Sequence, residues 1–355
     1  MIKRDSKSMK DNNSHASKVI LLLGFPRSGT TWFSNLLNTN SNVCYRHELI
    51  GRNYGAFDKA LFFRIKYDNG LGDNDYKKVL RVVNSALIDS DKAPFFKKRF
   101  GLHQYPRLHH IMWMATKAIP LLFPLYNLMF SLKSKHDWRV LIKETRSLQD
   151  MESIARAFRA KHILFLVRHP HGAISSNLEG IKKGRMQGMS SEKKVQIWNR
   201  AVKSPNLTAL IEKRASPNDL TDIEFLAADW VLYNEKILSL RELFADSFVC
   251  FYDDFVEDQE FLVRALMGKL GLEYDAETKK FMENSAGAGE AKILLKDAGA
   301  SYFSVYRNKS FDKDAWKNKL TEDEINTIDK TCITVYEKLK NLYKYDIDGS
   351  KKALF

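Results

Sequence analysis

The stretch "VILLLGFPRSGTTWFSNLL", Val19 to Leu37, constrains this chain more than any other. It opens as an apolar strand, turns through a Gly/Ser/Thr loop and leaves on a helix. Trp32, Phe33, Leu36 and Leu37 supply the inner face of that helix. Strand, glycine loop and helix make the layout of a phosphate-binding loop. Gly24 and Gly29 let the backbone turn tightly, and the N–H groups of Ser28 through Trp32 point at an anion from a helix N-terminus. Thr30 and Thr31 add hydroxyl donors. The spacing G-x-x-x-x-G-x-T is met by Gly24, Gly29 and Thr31, but Thr30 stands where a nucleotide triphosphatase needs its lysine. Triphosphate chemistry is therefore disfavoured. Arg27, three residues earlier, offers instead a planar fork to a phosphate and a group bonded to it.

Three more β-rich runs follow, at Arg139–Lys143, Ile163–Val167 and Ser247–Tyr252. "ILFLV" is nearly continuous in its hydrophobicity, as a strand covered on both faces should be. Between the first two of these runs, Leu148, Met151, Ile154, Ala155 and Phe158 recur at helical spacing, which makes a parallel βαβ unit with a right-handed crossover. The fold class expected is α/β: a central parallel sheet of the phosphate-loop type, flanked by helices. Residues 53–135 form an insertion, polar and then apolar, that reads as helical with no strand pattern. Further helices fill 181–246, with Trp198, Trp230 and Tyr233 as core. A last helix opens at "LTEDEI", where Thr321 and Glu324 have capping-box spacing, and continues as the stripe Ile325, Ile328, Cys332, Val335 and Leu339. One domain over 18–345 is expected, between a polar, basic tail at 1–17 and a short tail at 346–355. The N-terminal tail lacks the apolar core of a secretory signal.

The chain of 355 residues carries a formal charge of +14. Such a balance suits an anionic ligand, a nucleic acid or an anionic membrane surface, or simply solubilising lysine. Cys44, Cys250 and Cys332 lie far apart, with neither a disulfide framework nor metal spacing, which points to a reducing, cytoplasmic compartment. Ile111 to Leu132, "IMWMATKAIPLLFPLYNLMFSL", has the length of a membrane span and one charge. Pro120 and Pro124 break it. A span here would also put Gly24 and Arg168 on opposite sides of a bilayer. The segment reads as helices that are buried, line an acceptor pocket or lie at a membrane interface, burial being the plain reading.

"GFPRSGTTW" closely resembles the 5′-phosphosulfate loop of sulfotransferases, which use 3′-phosphoadenosine-5′-phosphosulfate (PAPS). "FLVRHPHGAISSNL" follows a strand and places Arg168 and Ser176 eight residues apart, the spacing of the family's 3′-phosphate motif; Ser175 is the rival serine. "VLIKETRSL" resembles the K-x-x-R strand of the carbohydrate sulfotransferases and offers Lys143 and Arg146 near the carboxyl ends of the strands, where ligands bind in such sheets. "FVCFYDDF" is similar to the family's late strand, and "VYRNKSFDKDAWKNKLTEDEI" to the loop that closes over the 3′-phosphate. The resemblance touches about residues 18 to 345, and the insertion matches nothing.

What the resemblance implies is transfer of a sulfuryl group from PAPS to a hydroxyl, leaving adenosine 3′,5′-bisphosphate. Arg27, Ser28, Gly29, Thr30 and Thr31 would hold the 5′-phosphate, with Trp32 stacked on adenine. Arg168 and Ser176 would hold the 3′-phosphate, with Arg307 and Lys309 as weaker candidates. Arg27 or Lys143 would stabilise the bridging oxygen. Glu48 in "NVCYRHELIG" would be the base, with His47 as its rival. No metal is required. The acceptor implied is a small molecule, a carbohydrate or a lipid-linked molecule, and membrane contact would run through 111–132. Oligomeric state is not legible. Two other classes compete. A nucleotide kinase or NTPase with a degenerate loop would need a Walker-B aspartate, for which Asp253 after "FVCFY" is a poor match. A nucleic-acid-binding protein would need basic and aromatic residues interleaved on one face, and here the basic residues are spread broadly.

Overall fold

The computed structural model describes residues 18–52, 56–67, 71–133, 138–145, 150–186, 188–285 and 313–346. Its longer elements, in chain order, begin with β1 (Val19–Gly24), α1 (Thr30–Asn38), β2 (Val43–His47), α2 (Lys59–Tyr67) and α3 (Asp73–Asn84). Next come α4 (Pro106–Ala118), α5 (Phe123–Phe130), β3 (Arg139–Glu144), α6 (Met151–Ala157), β4 (His162–Val167) and α7 (Pro170–Lys182). The chain continues through α8 (Ser191–Ala201), α9 (Asp222–Leu243), β5 (Ser247–Phe251), α10 (Gln259–Leu270), α11 (Ala276–Ser285) and α12 (Glu322–Asp346). The strands form one five-stranded parallel sheet in the order β2-β3-β1-β4-β5, flanked by helices. Strands β1 and β4 are buried along their whole length, which is why their sequences, apart from His162 at the start of β4, are apolar.

The described residues fall into two compact units. The first holds 18–23, the described parts of 31–164, and 266–285. In it β3 pairs on one side with β1 (Leu22 opposite Lys143) and on the other with β2 (His47 opposite Lys143). Strand β2 is not among the four strands expected from the sequence. Its pattern, "VCYRH", is broken by Arg46, which is nonetheless fully buried. Arg46 donates through Nε to the Val83 carbonyl at 3.3 Å and pairs with Asp91. Burial works against its charge, but Asp91 and its neighbours more than offset that, and the Arg46 pKa is raised. Tyr126 donates to the other Asp91 oxygen at 2.6 Å, and His109 Nε2 lies 3.0 Å from the Tyr126 hydroxyl. This chain of polar groups ties α5 and α4 to β2.

The insertion is helical, as expected, with no strand among its described residues. The apolar stretch 111–132 breaks at its prolines into α4, a 3₁₀ turn at Pro120–Leu122, and α5. Burial, the plain reading of that stretch, holds for one face only. Trp113, Tyr126 and Phe130 are buried, while Ile111, Met114, Ile119, Leu121, Leu125 and Leu128 are exposed. Among the described residues no helix is long and apolar enough to cross a membrane.

The second unit holds 24–30, 165–186, 188–265 and 313–346. Here α12 packs on α9 through the stripe read from the sequence: Ile328, Cys332, Val335 and Leu339 are fully buried, each apolar side chain contributing about 1.5–3 kcal/mol. Its start is fixed by the expected capping box. Thr321 N–H donates to Glu324 Oε2 at 2.8 Å and Glu324 N–H to Thr321 Oγ1 at 3.2 Å. Trp230 and Tyr233 are core; Trp198 is only half-buried.

Candidate active site

In the second unit, the loop after β1 turns back on itself by a bond from Ser28 N–H to the Phe25 carbonyl at 3.1 Å. Arg27 and Gly29 both lie in the left-handed region, at φ 70° and 84°. For Gly29 a side chain is also excluded by space. A Cβ there would sit 1.9 Å from Cε2 of Tyr252, the residue that follows β5. For Arg27 the conformation is strained, at a cost of about 1–3 kcal/mol, and other groups hold it. Arg27 Nε donates to Ser176 Oγ at 3.0 Å, Arg168 Nη1 donates to the Arg27 carbonyl at 3.1 Å, and Asn177 Nδ2 donates to the Pro26 carbonyl at 3.0 Å. The loop is thus held by residues of α7 and by Arg168, the residue that follows β4. Ser176, rather than Ser175, is the serine that meets Arg27.

Arg168 is placed by its surroundings. Its guanidinium lies 5.2 Å from the Tyr252 ring centroid. Gly172, one turn into α7, leaves room for it, since a Cβ there would approach Arg168 Nε to 2.9 Å. Asp253, weighed from sequence as a Walker-B residue, accepts the His169 N–H at 2.8 Å and so anchors the turn after β4. Burial, helped by His171, pulls the His169 pKa down to about 4, so this ring is neutral near pH 7.

Does this cradle suit a nucleotide anion? Ser28 Oγ is fully buried and has no hydrogen-bond partner among the described residues. A hydroxyl left so costs about 1–3 kcal/mol, and a phosphate oxygen would satisfy it. Two arginines and a left-handed loop, all converging near that hydroxyl's own turn, make an anion the fitting ligand. Thr30, nearly buried, opens α1; in the first unit, the Thr31 carbonyl accepts Ser34 Oγ at 3.0 Å and Asn35 Nδ2 at 2.8 Å. Trp32 is buried beside Phe33. Arg146, Arg307 and Lys309 lie outside the described residues.

The first unit carries the acid–base candidates. The register that sets His47 opposite Lys143 carries Glu48 just beyond β2, where its N–H donates to the Lys143 carbonyl at 2.8 Å. Glu48 is buried and left-handed at φ 46°. Its Oε1 accepts from Lys143 Nζ at 3.1 Å and from Thr145 Oγ1 at 2.9 Å. His47 Nε2 lies 3.9 Å from Glu48 Oε2, and His47 Nδ1 hydrogen-bonds with the Tyr45 hydroxyl at 2.7 Å. Glu144 Oε1 accepts the Ile50 N–H at 2.6 Å and fixes the turn after Glu48. Three non-glycine residues are left-handed among the described residues; Arg159 ends a helix, and the other two are Arg27 and Glu48. Sequence reasoning missed Thr145, Asn177 and Tyr252. Asn177 is adjacent to Ser176, which could have flagged it; nothing local marks the other two.

Among the described residues no cluster of His, Cys, Asp and Glu could hold a metal ion. Comparison with curated proteins gives no match. Among solved structures, the sulfotransferase domain of the Synechococcus PCC 7002 olefin synthase superposes with a TM-score of 0.43 at 15% identity, covering 88% of this chain and 93% of that one. The sulfotransferase domain from the curacin biosynthetic pathway gives 0.42 at 12% identity, over 87% and 95%. Mouse sulfotransferase SULT7A1 complexed with PAP gives 0.40 at 13% identity, over 96% and 92%. A family model described as "Sulfotransferase family" matches residues 20–227. That match takes in more than half of the chain, including the loop at 24–31 and the stretch from Arg168 to Ser176, and the protein belongs to the sulfotransferase family.

Proposed function

We propose that the protein transfers a sulfuryl group from PAPS to a hydroxyl acceptor, a carbohydrate or a glycolipid. The observation that carries the donor assignment is the bond between Arg27 and Ser176, with Arg168 on the Arg27 carbonyl. It joins two anion motifs that lie far apart in the sequence. A second phosphate site beside the loop is what a 3′-phosphorylated nucleotide needs and a triphosphate does not. The donor, when bound, supplies a sulfuryl group activated by its anhydride link to the 5′-phosphate.

In this reading Arg27, Ser28, Gly29 and Thr30 hold the 5′-phosphate, and Thr31 and Trp32, next in the chain, complete the motif. Arg168 and Ser176 hold the 3′-phosphate, with Arg307 and Lys309 as further candidates. Sulfuryl transfer is an in-line displacement, so the chain's contribution is positioning and charge stabilisation. As the sulfur–oxygen bond to the acceptor forms and the bond to the phosphate breaks, negative charge builds on the bridging oxygen; Arg27 or Lys143 neutralises it. Glu48 takes the proton that the acceptor hydroxyl loses. Lys143 and Thr145 fix its carboxylate, and His47 is the alternative proton acceptor. The carbohydrate or glycolipid assignment is supported by the likeness of the Lys143 strand and of the acidic position at Glu48 to the carbohydrate enzymes.

Thermal stabilisation by ligand tests the donor. A ligand that binds the folded state at about 100 times its Kd adds about 2.7 kcal/mol. Adenosine 3′,5′-bisphosphate should raise the melting temperature by several degrees, and ATP with Mg²⁺ much less. Equal or greater stabilisation by ATP–Mg²⁺ would overturn the donor assignment.

A further inference from the structure

We infer that the corner formed by α4, the 3₁₀ turn and α5 docks on an anionic bilayer surface. The inference stands apart from the donor and acceptor readings. Fourteen large apolar side chains are exposed among the described residues, and eight of them lie between Tyr105 and Leu128. Single exposed leucines are ordinary, but such a concentration marks a contact surface. On α4, Ile111 and Met114 recur at helical spacing on the side away from Trp113. Leu121 is the tip of the turn at 88% exposure, and Leu128 on α5 is 70% exposed. Helix α5 is apolar almost all round, and on α4 Ile111 and Met114 are turned outward while Trp113 packs on the core.

The corner is held in that attitude from beneath. Tyr126 reaches Asp91, His109 reaches Tyr126, Trp113 Nε1 donates to the Ile88 carbonyl at 3.1 Å, and His103 Nε2 lies 3.0 Å from the Phe130 carbonyl. Inward rotation of the outer face would break these buried bonds. The apolar surface is therefore built into the fold.

Charge selects the occupant. From Lys92 to Lys133 the chain has seven Lys and Arg residues and no Asp or Glu. Lys98 is buried, and Arg99 pairs with Glu273. Arg107 and Lys117 are exposed on α4, Lys133 is exposed three residues after α5, and Lys97 is exposed in the segment before α4. An apolar outer face with a rim of cations on and beside the same helices is the pattern of an interfacial anchor in acidic lipid. A second copy of this chain fits poorly, because a two-fold interface would bring each cationic rim against its own equivalent.

The test uses the whole protein and vesicles of phosphatidylcholine alone or mixed with phosphatidylserine. Cosedimentation should be strong with the mixed vesicles, weak with phosphatidylcholine, and weakened by salt. Leu121→Glu with Leu128→Glu should cut partitioning by roughly tenfold or more, and Arg107→Gln with Lys117→Gln and Lys133→Gln by roughly tenfold. All five side chains are exposed, and of the five only Lys117, whose Nζ lies 3.8 Å from the Trp113 ring centroid, has a ring contact to lose among the described residues, so the melting temperature should move little. Absence of binding to the mixed vesicles, or binding indifferent to the leucine substitutions, would overturn the inference. So would a wild-type dimer in sedimentation velocity that the leucine substitutions convert to monomer, since that would make a second copy the occupant.

Discussion

Arg27 Nε donates to Ser176 Oγ at 3.0 Å, linking residues 149 apart in sequence. The bond holds a left-handed arginine against α7, whose Ser176 is proposed to bind the 3′-phosphate. Ser176→Ala removes both that restraint and a hydroxyl donor. A hydrogen bond to a charged group is worth about 1.5–3 kcal/mol, so affinity for adenosine 3′,5′-bisphosphate should fall by about tenfold or more. AMP, lacking the 3′-phosphate, should lose less. Arg168→Ala should widen that gap. Because Arg168 also donates to the Arg27 carbonyl, both nucleotides will weaken, and the difference between them, read by calorimetry, is the informative quantity. Equal losses would remove the 3′-phosphate role.

Glu48 offers a cleaner separation of chemistry from binding. Glu48→Gln keeps an oxygen for Lys143 and Thr145 but cannot take a proton. Turnover should drop by about 10²–10⁴-fold, the usual worth of a positioned base. Nucleotide affinity should stay close to that of the parent, while the melting temperature falls, because Lys143 is left buried without its counter-charge. Full activity in this variant would pass the role to His47 or to another group.

The same pair has a structural side. Lys143 and Glu48 side chains are only 4% and 6% exposed. Lys143→Met leaves a carboxylate buried without its cation, which costs about 3–5 kcal/mol. Adding Glu48→Gln removes the stranded charge, so the double variant should be more stable than Lys143→Met alone. Urea unfolding of the four proteins in the cycle measures the coupling. Strictly additive losses would mean that the ion pair contributes nothing.

Gly29→Ala probes the loop itself. The substitution places a Cβ at φ 84°, a left-handed cost of about 1–2 kcal/mol, and drives it into the Tyr252 ring. Gly29→Ala should lose bisphosphate binding and melt several degrees lower. Tyr252→Ala in the same chain should restore part of the stability, since it removes the clash while leaving the backbone strain. No recovery would place the whole cost in the backbone.

Much of this was legible from sequence because its signals are local. Strands β1, β3, β4 and β5 are apolar runs, and Thr321 and Glu324 announce their capping box at fixed spacing. The phosphate loop and the Arg168–Ser176 pair are likewise short patterns. Strand β2 was not legible, because Arg46 interrupts it and the Asp91 that balances Arg46 lies 45 residues on, in the insertion. Tyr252 beneath Gly29 and Thr145 beside Glu48 are contacts made only by folding. Hydropathy could not orient 111–132 either, since its two short helices carry too few polar residues to show which face is buried.

Acid should expose the polar chain that ties the insertion to β2. Burial, with Arg46 nearby, pulls the His103 pKa down to about 3; burial, with His103 and Arg46, pulls His109 down to about 2. In the unfolded chain both titrate near the ordinary value of about 6.5. Between that value and about pH 4 the unfolded state therefore binds more protons than the folded one, and stability falls as pH falls. Each histidine contributes a slope of up to about 1.4 kcal/mol per pH unit, and the full contribution is present only above about pH 6.5. His109 stacks on Phe130 at 4.1 Å, so His109→Gln will cost stability at every pH. Its diagnostic is the slope: unfolding free energy measured by urea at several pH values should decline less steeply in the variant, by about one proton's worth. An unchanged slope would mean that His109 takes up its proton in the folded protein as readily as in the unfolded chain.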